Sequence, residues 1–259
     1  MNCEFCSLGE KWAIVGERRE YDAEETVRQV REYADNGVRW IVLRTTEFYS
    51  QDQLGEMIRH IRTQVPGPYE IGLNIGEFGL ETANWLAECG VDFIYHSLRL
   101  GEGRATRFEP QTRIDTLRAV QASPLKLVFL VEPIGVEHTN EEIADICLLA
   151  ADCKAIVSGA MARIPVPGTP LGVHPQVSDE RMAQIIAVTR LACGSCVPDI
   201  CIHPGTQLAM EFGANVTVVE TGAIPRDTCC CSGGKWNQFD TVRAGELFEA
   251  AGYTVHQTA

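Results

Sequence analysis

Helix-like and strand-like patterns of hydrophobic residues alternate along the whole chain. Residues 23–36 place Val27 and Val30 on one helical face, and Gly37 follows as a stop signal. The short apolar run 40–43 comes next and is typical of a buried parallel strand. The same alternation predicts further helices at 52–64, 82–89, 111–121, 140–151, 178–192, 208–212 and 240–251, and further strands at 69–74, 93–95, 125–131, 155–157, 199–202 and 216–220.

About seven strands, each followed by a helix, have the spacing of a (β/α) barrel, with a doubly wound parallel sheet as the alternative. No change in composition marks a domain boundary, so residues 1–259 are expected to form one barrel domain that 193–259 completes. The first predicted element is a helix, and we therefore expect the first barrel strand to precede this chain. Loops at the carboxyl ends of barrel strands are where the chemistry is expected.

Composition excludes several classes of function. A net charge of −13 and a pI near 4.9 argue against nucleic-acid or anionic-membrane partners. No apolar run reaches the ~18 residues that span a bilayer, so a soluble cytoplasmic protein is expected. Eleven cysteines in such a chain predict reduced thiols or metal ligands. Cys89, Cys147 and Cys153 lie in apolar stretches and are expected to be core residues.

The chain opens with a Cys-x-x-Cys pair, Cys3 and Cys6, separated by Glu4 and Phe5. Two intervening residues allow both sulfurs to face one iron–sulfur cluster or one zinc ion. A pair supplies only half of such a site.

Four further features lie in the same order and spacing as in a known family. Cys3 and Cys6 resemble the last two ligands of the radical S-adenosylmethionine (SAM) motif, whose first cysteine is then expected upstream of Met1. The other matching segments are His96-Ser97-Leu98, Arg113-Ile-Asp-Thr-Leu117, Ile134-Gly135-Val-Glu137-His-Thr139 and Pro167-Gly-Thr-Pro-Leu171. Together they are similar to the biotin synthase group of radical SAM enzymes.

The resemblance implies a [4Fe-4S] cluster with Cys3 and Cys6 as two of its ligands, and SAM bound at the cluster. Thr46 and Glu47 stand where the SAM amino group is received, and Arg113 stands where the SAM carboxylate is held. Gly135 and Arg163 are implied to complete the cofactor site.

The resemblance places Ser97 and Arg99 where the group contacts SAM ribose and substrate. Arg99 replaces an aspartate and reverses the charge, which favours a different small-molecule substrate, such as a carboxylate. The implied reaction is reductive cleavage of SAM to a 5′-deoxyadenosyl radical that abstracts hydrogen. It requires an electron donor such as ferredoxin or flavodoxin.

The carboxyl-terminal part of the sequence indicates which members of the biotin synthase group the chain resembles. Cys201 stands where biotin synthase has an arginine ligand for a sulfur-donating cluster, which disfavours biotin synthase itself. The run Cys201-Ile-His203-Pro, with Gly213-Ala-Asn215 and Glu220-Thr-Gly-Ala-Ile-Pro-Arg-Asp227, is similar to the radical SAM protein of [Fe]-hydrogenase guanylylpyridinol cofactor maturation. A methylornithine synthase-like enzyme is the alternative. Cys193, Cys196, Cys201 and His203 are candidates for an auxiliary metal or substrate site, to which Cys229, Cys230 or Cys231 could contribute.

Other interpretations remain open. Cys3, Cys6, Cys193 and Cys196 have the pairwise spacing of a structural zinc site that would clip together the ends of a non-catalytic binding protein. An aldolase would need a lysine at a strand's carboxyl end, whereas Lys126 is at the opposite end. Individually, Glu47 could be a solvated carboxylate, Arg113 a salt-bridge partner and His96 a core histidine.

Overall fold

The computed structural model describes residues 2–15, 20–46, 49–221 and 239–255. Its parallel sheet runs in the order β1-β2-β3-β4-β6-β7-β8, with β5 also paired to β6. The strands are β1 Trp40–Arg44, β2 Glu70–Asn74, β3 Phe93–Tyr95, β4 Lys126–Val128, β5 Val131–Ile134, β6 Val157–Ala162, β7 Asp199–His203 and β8 Val216–Thr217. This curled sheet with its helices confirms the predicted partial (β/α) barrel.

Helices connect successive strands and begin at local sequence signals. They are α1 Ala23–Asp35, α2 Gln51–Gln64, α3 Leu80–Cys89, α4 Pro110–Gln121, α5 Asn140–Asp152, α6 Asp179–Cys193, α7 Gln207–Glu211 and α8 Thr241–Ala250. Asp22, Ser50 and Ser178 each accept a hydrogen bond from a backbone amide of the first turn. Thr139 and Glu142 form a complete capping box at α5. No helix in the described ranges is long and apolar enough to cross a membrane.

The core lies between the sheet and the helices, in two neighbouring clusters. Ile58, Ile71 and Leu86 belong to the cluster under the first half of the sheet. Ile186 and Ile200 belong to the cluster under the second half. The predicted core cysteines Cys89, Cys147 and Cys153 are buried, which confirms that expectation.

Three strand predictions differ from the structure. The predicted strand 216–220 is limited to Val216–Thr217. The predicted strand 125–131 is interrupted between β4 and β5, and the amide of Leu130 donates to Ser97 Oγ at 3.2 Å at this break. The predicted strand 155–157 is in fact Val157–Ala162, because the small residues that follow Val157 continue the pairing with β7. Residues assigned to a loop, such as Met161, therefore belong to the sheet.

The concave face of the sheet carries alternate residues of each strand, as the pleat requires. Trp40, Phe93, Val157 and Cys201 form a third apolar cluster on this face. Within the described residues β1 and β8 are the ends of the sheet, and Arg44 Nη1 reaches across to Glu220 Oε1 at 3.4 Å. The interior is thus apolar at its base and polar toward the carboxyl ends of the strands.

Candidate active site

A carboxylate and a phenol meet inside the barrel near the carboxyl ends of β3 and β5. Tyr95, partly exposed at the end of β3, donates its hydroxyl hydrogen bond to Glu132 Oε2. The other oxygen, Oε1, lies 3.7 Å from Arg99 Nε, which is beyond hydrogen-bond distance. Burial raises the pKa of Glu132, although Arg99 and Tyr95 act in the opposite direction. Glu132 can therefore hold a proton at a higher pH than an exposed glutamate.

Cys201 belongs to the same interior surface. It lies on β7 in register with Gly159 of β6 and Val216 of β8 and is 2% exposed. Burial raises the pKa of Cys201 to about 12, and the neighbouring Glu132 carboxylate adds to the shift. The side chain is therefore a neutral thiol at physiological pH that faces the barrel interior.

The other two cysteines predicted to join Cys201 lie elsewhere. Cys193 is the last residue of α6, is buried, and its thiol contacts Cys147. Cys196 is exposed in the following turn, before β7 begins. Both residues precede the amino end of β7, whereas Cys201 lies within the strand with its side chain on the concave face. The structure therefore does not bring Cys193 or Cys196 together with Cys201.

Hydrogen bonds hold the Cys3–Cys6 segment at the carboxyl ends of the strands. Glu4 donates its amide to the Ala105 carbonyl after β3, at 2.8 Å, and accepts from the Leu171 amide after β6, at 2.9 Å. Trp12 Nε1 donates to the Cys3 carbonyl at 3.0 Å. The Cys6 amide donates to the Cys3 carbonyl at 3.1 Å, which makes a tight turn with both cysteines half-buried.

This position tests the two metal hypotheses. A four-cysteine zinc clip is not formed, because Cys193 and Cys196 lie at the opposite ends of the strands from Cys3 and Cys6. In the part of the chain that the structure describes, no group of three potential ligands surrounds a common point. The chemistry of the Cys3–Cys6 turn fits two ligands of an iron–sulfur cluster, since one tight turn carries two half-buried cysteines.

Arg113 lies in a buried network of charges. On α4, its Nε is 3.0 Å from Glu102 Oε2 and its Nη1 is 2.8 Å from Glu77 Oε1. The guanidinium also packs 4.5 Å from the Phe108 ring centre, and the side chain is 4% exposed. Burial raises the pKa of Glu102, even though Thr106 and Arg99 act against it. Arg113 thus already holds two carboxylates.

His96 and Ser97 are both buried beside this network. His96 Nε2 lies 3.2 Å from Glu77 Oε2, and Thr116 donates to the same oxygen at 2.9 Å. The Ser97 hydroxyl accepts the Leu130 amide at the break between β4 and β5. The backbone contacts of Ser97 give it a structural task in addition to the ribose contact predicted for it.

Gly135 and Arg163, both predicted to lie at the cofactor site, are adjacent in the structure. Arg163, 4% exposed, binds both oxygens of Glu137, with Nη2 2.8 Å from Oε2. The Arg163 guanidinium lowers the pKa of Glu137 to about 2. A Cβ atom at position 135 would clash with Arg163 Nη2 and Glu137 Oε2, so a side chain there would force this ion pair to shift.

The remaining predicted residues are Thr46, Glu47, His203 and the cysteines of 229–231. Thr46 is exposed after β1, and its carbonyl accepts hydrogen bonds from the Tyr49 amide and from Thr45 Oγ1. Glu47 and the Cys229–Cys231 run lie outside the described residues. His203 is buried at the end of β7. Asn215, from the Gly-Ala-Asn run, accepts from the Ile200 amide at 2.7 Å and therefore supports the fold at the amino end of β7.

Sequence reasoning missed Glu77, Glu102 and the role of Tyr95. For Glu77 and Tyr95, the position at or just after the end of a predicted strand marks the right end of the barrel, but it does not reveal their contacts. Glu77 comes three residues after β2, and Tyr95 is the last residue of β3. Glu102 lies in a glycine-rich turn, and the pattern gives no reason to expect its burial.

Comparison with known proteins agrees with this architecture. No protein-family model matches the chain. A biotin synthase from Persephonella marina is 26% identical over 193 residues, which are 71% of this chain and 52% of that protein. The chain therefore spans about half the length of this curated relative.

Two solved structures share the fold. Methylornithine synthase (PylB) superposes with a TM-score of 0.73 and 16% identity, covering 95% of this chain and 81% of that chain. The FeFe-hydrogenase maturase HydG from Carboxydothermus hydrogenoformans gives a TM-score of 0.67 and 15% identity, covering 83% and 55%. The fold is therefore a partial (β/α) barrel like that of these two structures.

Proposed function

We propose that this protein is a radical SAM enzyme that acts on a small molecule inside the barrel. The observation that carries the proposal is the Cys3–Cys6 turn, which hydrogen bonds fix to the loops after β3 and β6. Those loops lie at the end of the barrel where the polar interior residues converge. Two thiols and an enclosed polar site thus occur together.

The proposal assigns the following roles to the residues of this chain. Cys3 and Cys6 would hold two irons of a [4Fe-4S] cluster, and a third thiolate is required in addition. When bound, the cluster supplies the electron that cleaves SAM into methionine and a 5′-deoxyadenosyl radical. A one-electron donor such as ferredoxin or flavodoxin would reduce it. The barrel walls would exclude water from the radical.

The polar and apolar side chains of the barrel interior also restrict which substrates can bind. Tyr95, Glu132 and Asn74 form a polar side near the carboxyl ends of the strands, with Asn74 Nδ2 donating to the Tyr95 carbonyl at 2.8 Å. Val42 is 39% exposed, and the pleat of β1 places it on the same face as Trp40. Met161, Val216 and Val218 pack against the apolar cluster on this face. A small molecule with one polar and one apolar end fits this arrangement. Glu132 is placed to exchange a proton with it.

As a narrower proposal, we assign the substrate to the maturation of the [Fe]-hydrogenase guanylylpyridinol cofactor. Support comes from the run Cys201-Ile-His203-Pro, in which Cys201 faces the interior. A methylornithine synthase-like reaction is the second candidate, and the extent of the superposition on PylB, 95% of the chain, favours it.

The test is anaerobic reconstitution with iron and sulfide, followed by reduction in the presence of SAM. We expect bound iron and sulfide with thiolate-to-iron absorbance, and release of 5′-deoxyadenosine. Cys3→Ser and Cys6→Ser should lose both, whereas Cys196→Ser should retain both because Cys196 is exposed at the other end of the strands. One zinc per chain and no colour would overturn the proposal.

A further inference from the structure

Buried arginines near the carboxyl ends of the strands differ in how completely carboxylates occupy them. Arg113 is bound by Glu77 and Glu102 through two different nitrogens and is 4% exposed. A third carboxylate would place three negative charges on one guanidinium in a site with little water, where repulsion is weakly screened. Arg113 is therefore poorly placed to receive an anionic ligand.

Arg163 is similarly occupied. Glu137 binds it through both oxygens, and the guanidinium is 4% exposed. The pKa of Glu137, lowered to about 2, shows that this pair remains ionised over the physiological range. A ligand carboxylate would have to displace Glu137 from a two-point contact.

The guanidinium of Arg99 is less completely occupied by carboxylates than those of Arg113 and Arg163. Its side chain is 23% exposed, and its contact with Glu132, at 3.7 Å, is longer than a hydrogen bond. Tyr95 supplies the hydrogen bond that Glu132 receives at its other oxygen. The Cys3 sulfur is close enough to Arg99 for their charges to interact. Arg99 is thus a partly open cation beside the cysteine turn.

We propose that Arg99 binds the carboxylate of SAM, and that Arg113 is a positioning residue that fixes Glu77 and Glu102. This assignment rests on the proposed function and reverses the role expected of Arg113 from the family resemblance. A guanidinium between the cysteine turn and Glu132 would orient the methionine end of SAM at the cluster. Glu132 would then be released toward the substrate.

The test compares the binding of SAM with that of decarboxylated SAM, which lacks only the carboxylate. Dissociation constants are measured by equilibrium dialysis on the reconstituted, unreduced protein and on Arg99→Gln, Arg113→Lys and Arg44→Gln. Arg44→Gln is the matched control, because it removes the same charge from the same end of the sheet. Each variant is compared with the wild type for both ligands, so that any contribution the iron makes equally to the binding of the two ligands cancels.

We expect the preference for SAM over decarboxylated SAM to fall about 10-fold or more in Arg99→Gln, the loss typical of a charge-assisted contact. Arg113→Lys and Arg44→Gln should keep the wild-type preference, and Arg113→Lys should also melt at a lower temperature. A preference that survives in Arg99→Gln, or disappears in Arg113→Lys or Arg44→Gln, would overturn the assignment. Wild-type protein that binds neither ligand would instead contradict the proposed function.

Discussion

At the scale of single residues, the ion pair between Arg163 and Glu137 gives a pH-dependent contribution to stability. The folded pKa of Glu137 is about 2, below its ordinary value of 4.5, so its charged form is stabilised in the fold. This contribution is complete above pH 4.5 and is lost as the pH falls toward 2. Because the Glu137 side chain is 33% exposed, we expect it to be at most about 1 kcal/mol.

The prediction is that Glu137→Gln unfolds at a lower temperature than the wild type at neutral pH, and that the difference disappears between pH 4.5 and 2. Thermal unfolding followed by circular dichroism across this range measures it. Glu56→Gln, on an exposed part of α2, is the control and should follow the wild-type curve. A constant difference down to pH 2 would mean that the ion pair is not its cause.

Single residues also show which parts of the site could be predicted from the sequence and which could not. Cys3 lies close enough to Arg99 for their charges to interact, and both residues were identified from the order of the motifs along the chain. Glu77 and Glu102 could not be found in the same way. Their importance comes from contact with Arg113, which is 36 and 11 positions away, and no local pattern encodes that contact.

At the scale of elements, hydrophobic periodicity predicted nearly every helix because each buries a single face against the sheet. The strand errors have a specific cause. Val157–Ala162 contains Ser158, Gly159 and three alanine or methionine residues, whose low β propensity conceals a strand that pairs along its length with β7. Tertiary pairing, and not propensity, decides this element.

Two helical glycines test how packing modifies intrinsic helix propensity. Glycine to alanine in a helix should stabilise it by about 0.5–1 kcal/mol where space is available. At Gly245 in α8 nothing lies within 4 Å of the added Cβ, whereas at Gly55 in α2 the Trp85 Cη2 atom would be 2.5 Å away. We therefore expect Gly245→Ala to stabilise the protein.

Gly55→Ala should instead destabilise it by about 1–3 kcal/mol, because the partly buried Trp85 indole has to move. Urea denaturation of both variants measures the opposite signs, and each is the control for the other. Destabilisation of both variants to the same extent would show that the backbone, and not the neighbouring indole, is responsible.

At the scale of the whole molecule, the sheet provides the polar side chains near the carboxyl ends of the strands, and the amino-terminal segment provides the thiols. The two parts are joined by few contacts, which include the Glu4 amide with Ala105, the Leu171 amide with Glu4, and Trp12 Nε1 with Cys3. The segment contributes little to the two large core clusters. Its attachment should therefore affect the metal site more than the stability of the barrel.

Trp12→Phe tests this separation, because it removes the hydrogen bond to the Cys3 carbonyl and retains an aromatic ring. We expect the reconstituted variant to lose iron to a chelator several times faster than the wild type, since the cysteine turn is less firmly held. The unfolding temperature of the metal-free protein should remain nearly unchanged. Lys11→Ala, which retains the Trp12 indole and the backbone bond of residue 11 to Asn2, is the control. Equal rates of iron loss, or a large fall in unfolding temperature, would show that the segment belongs to the core of the barrel and is not a separately attached ligand arm.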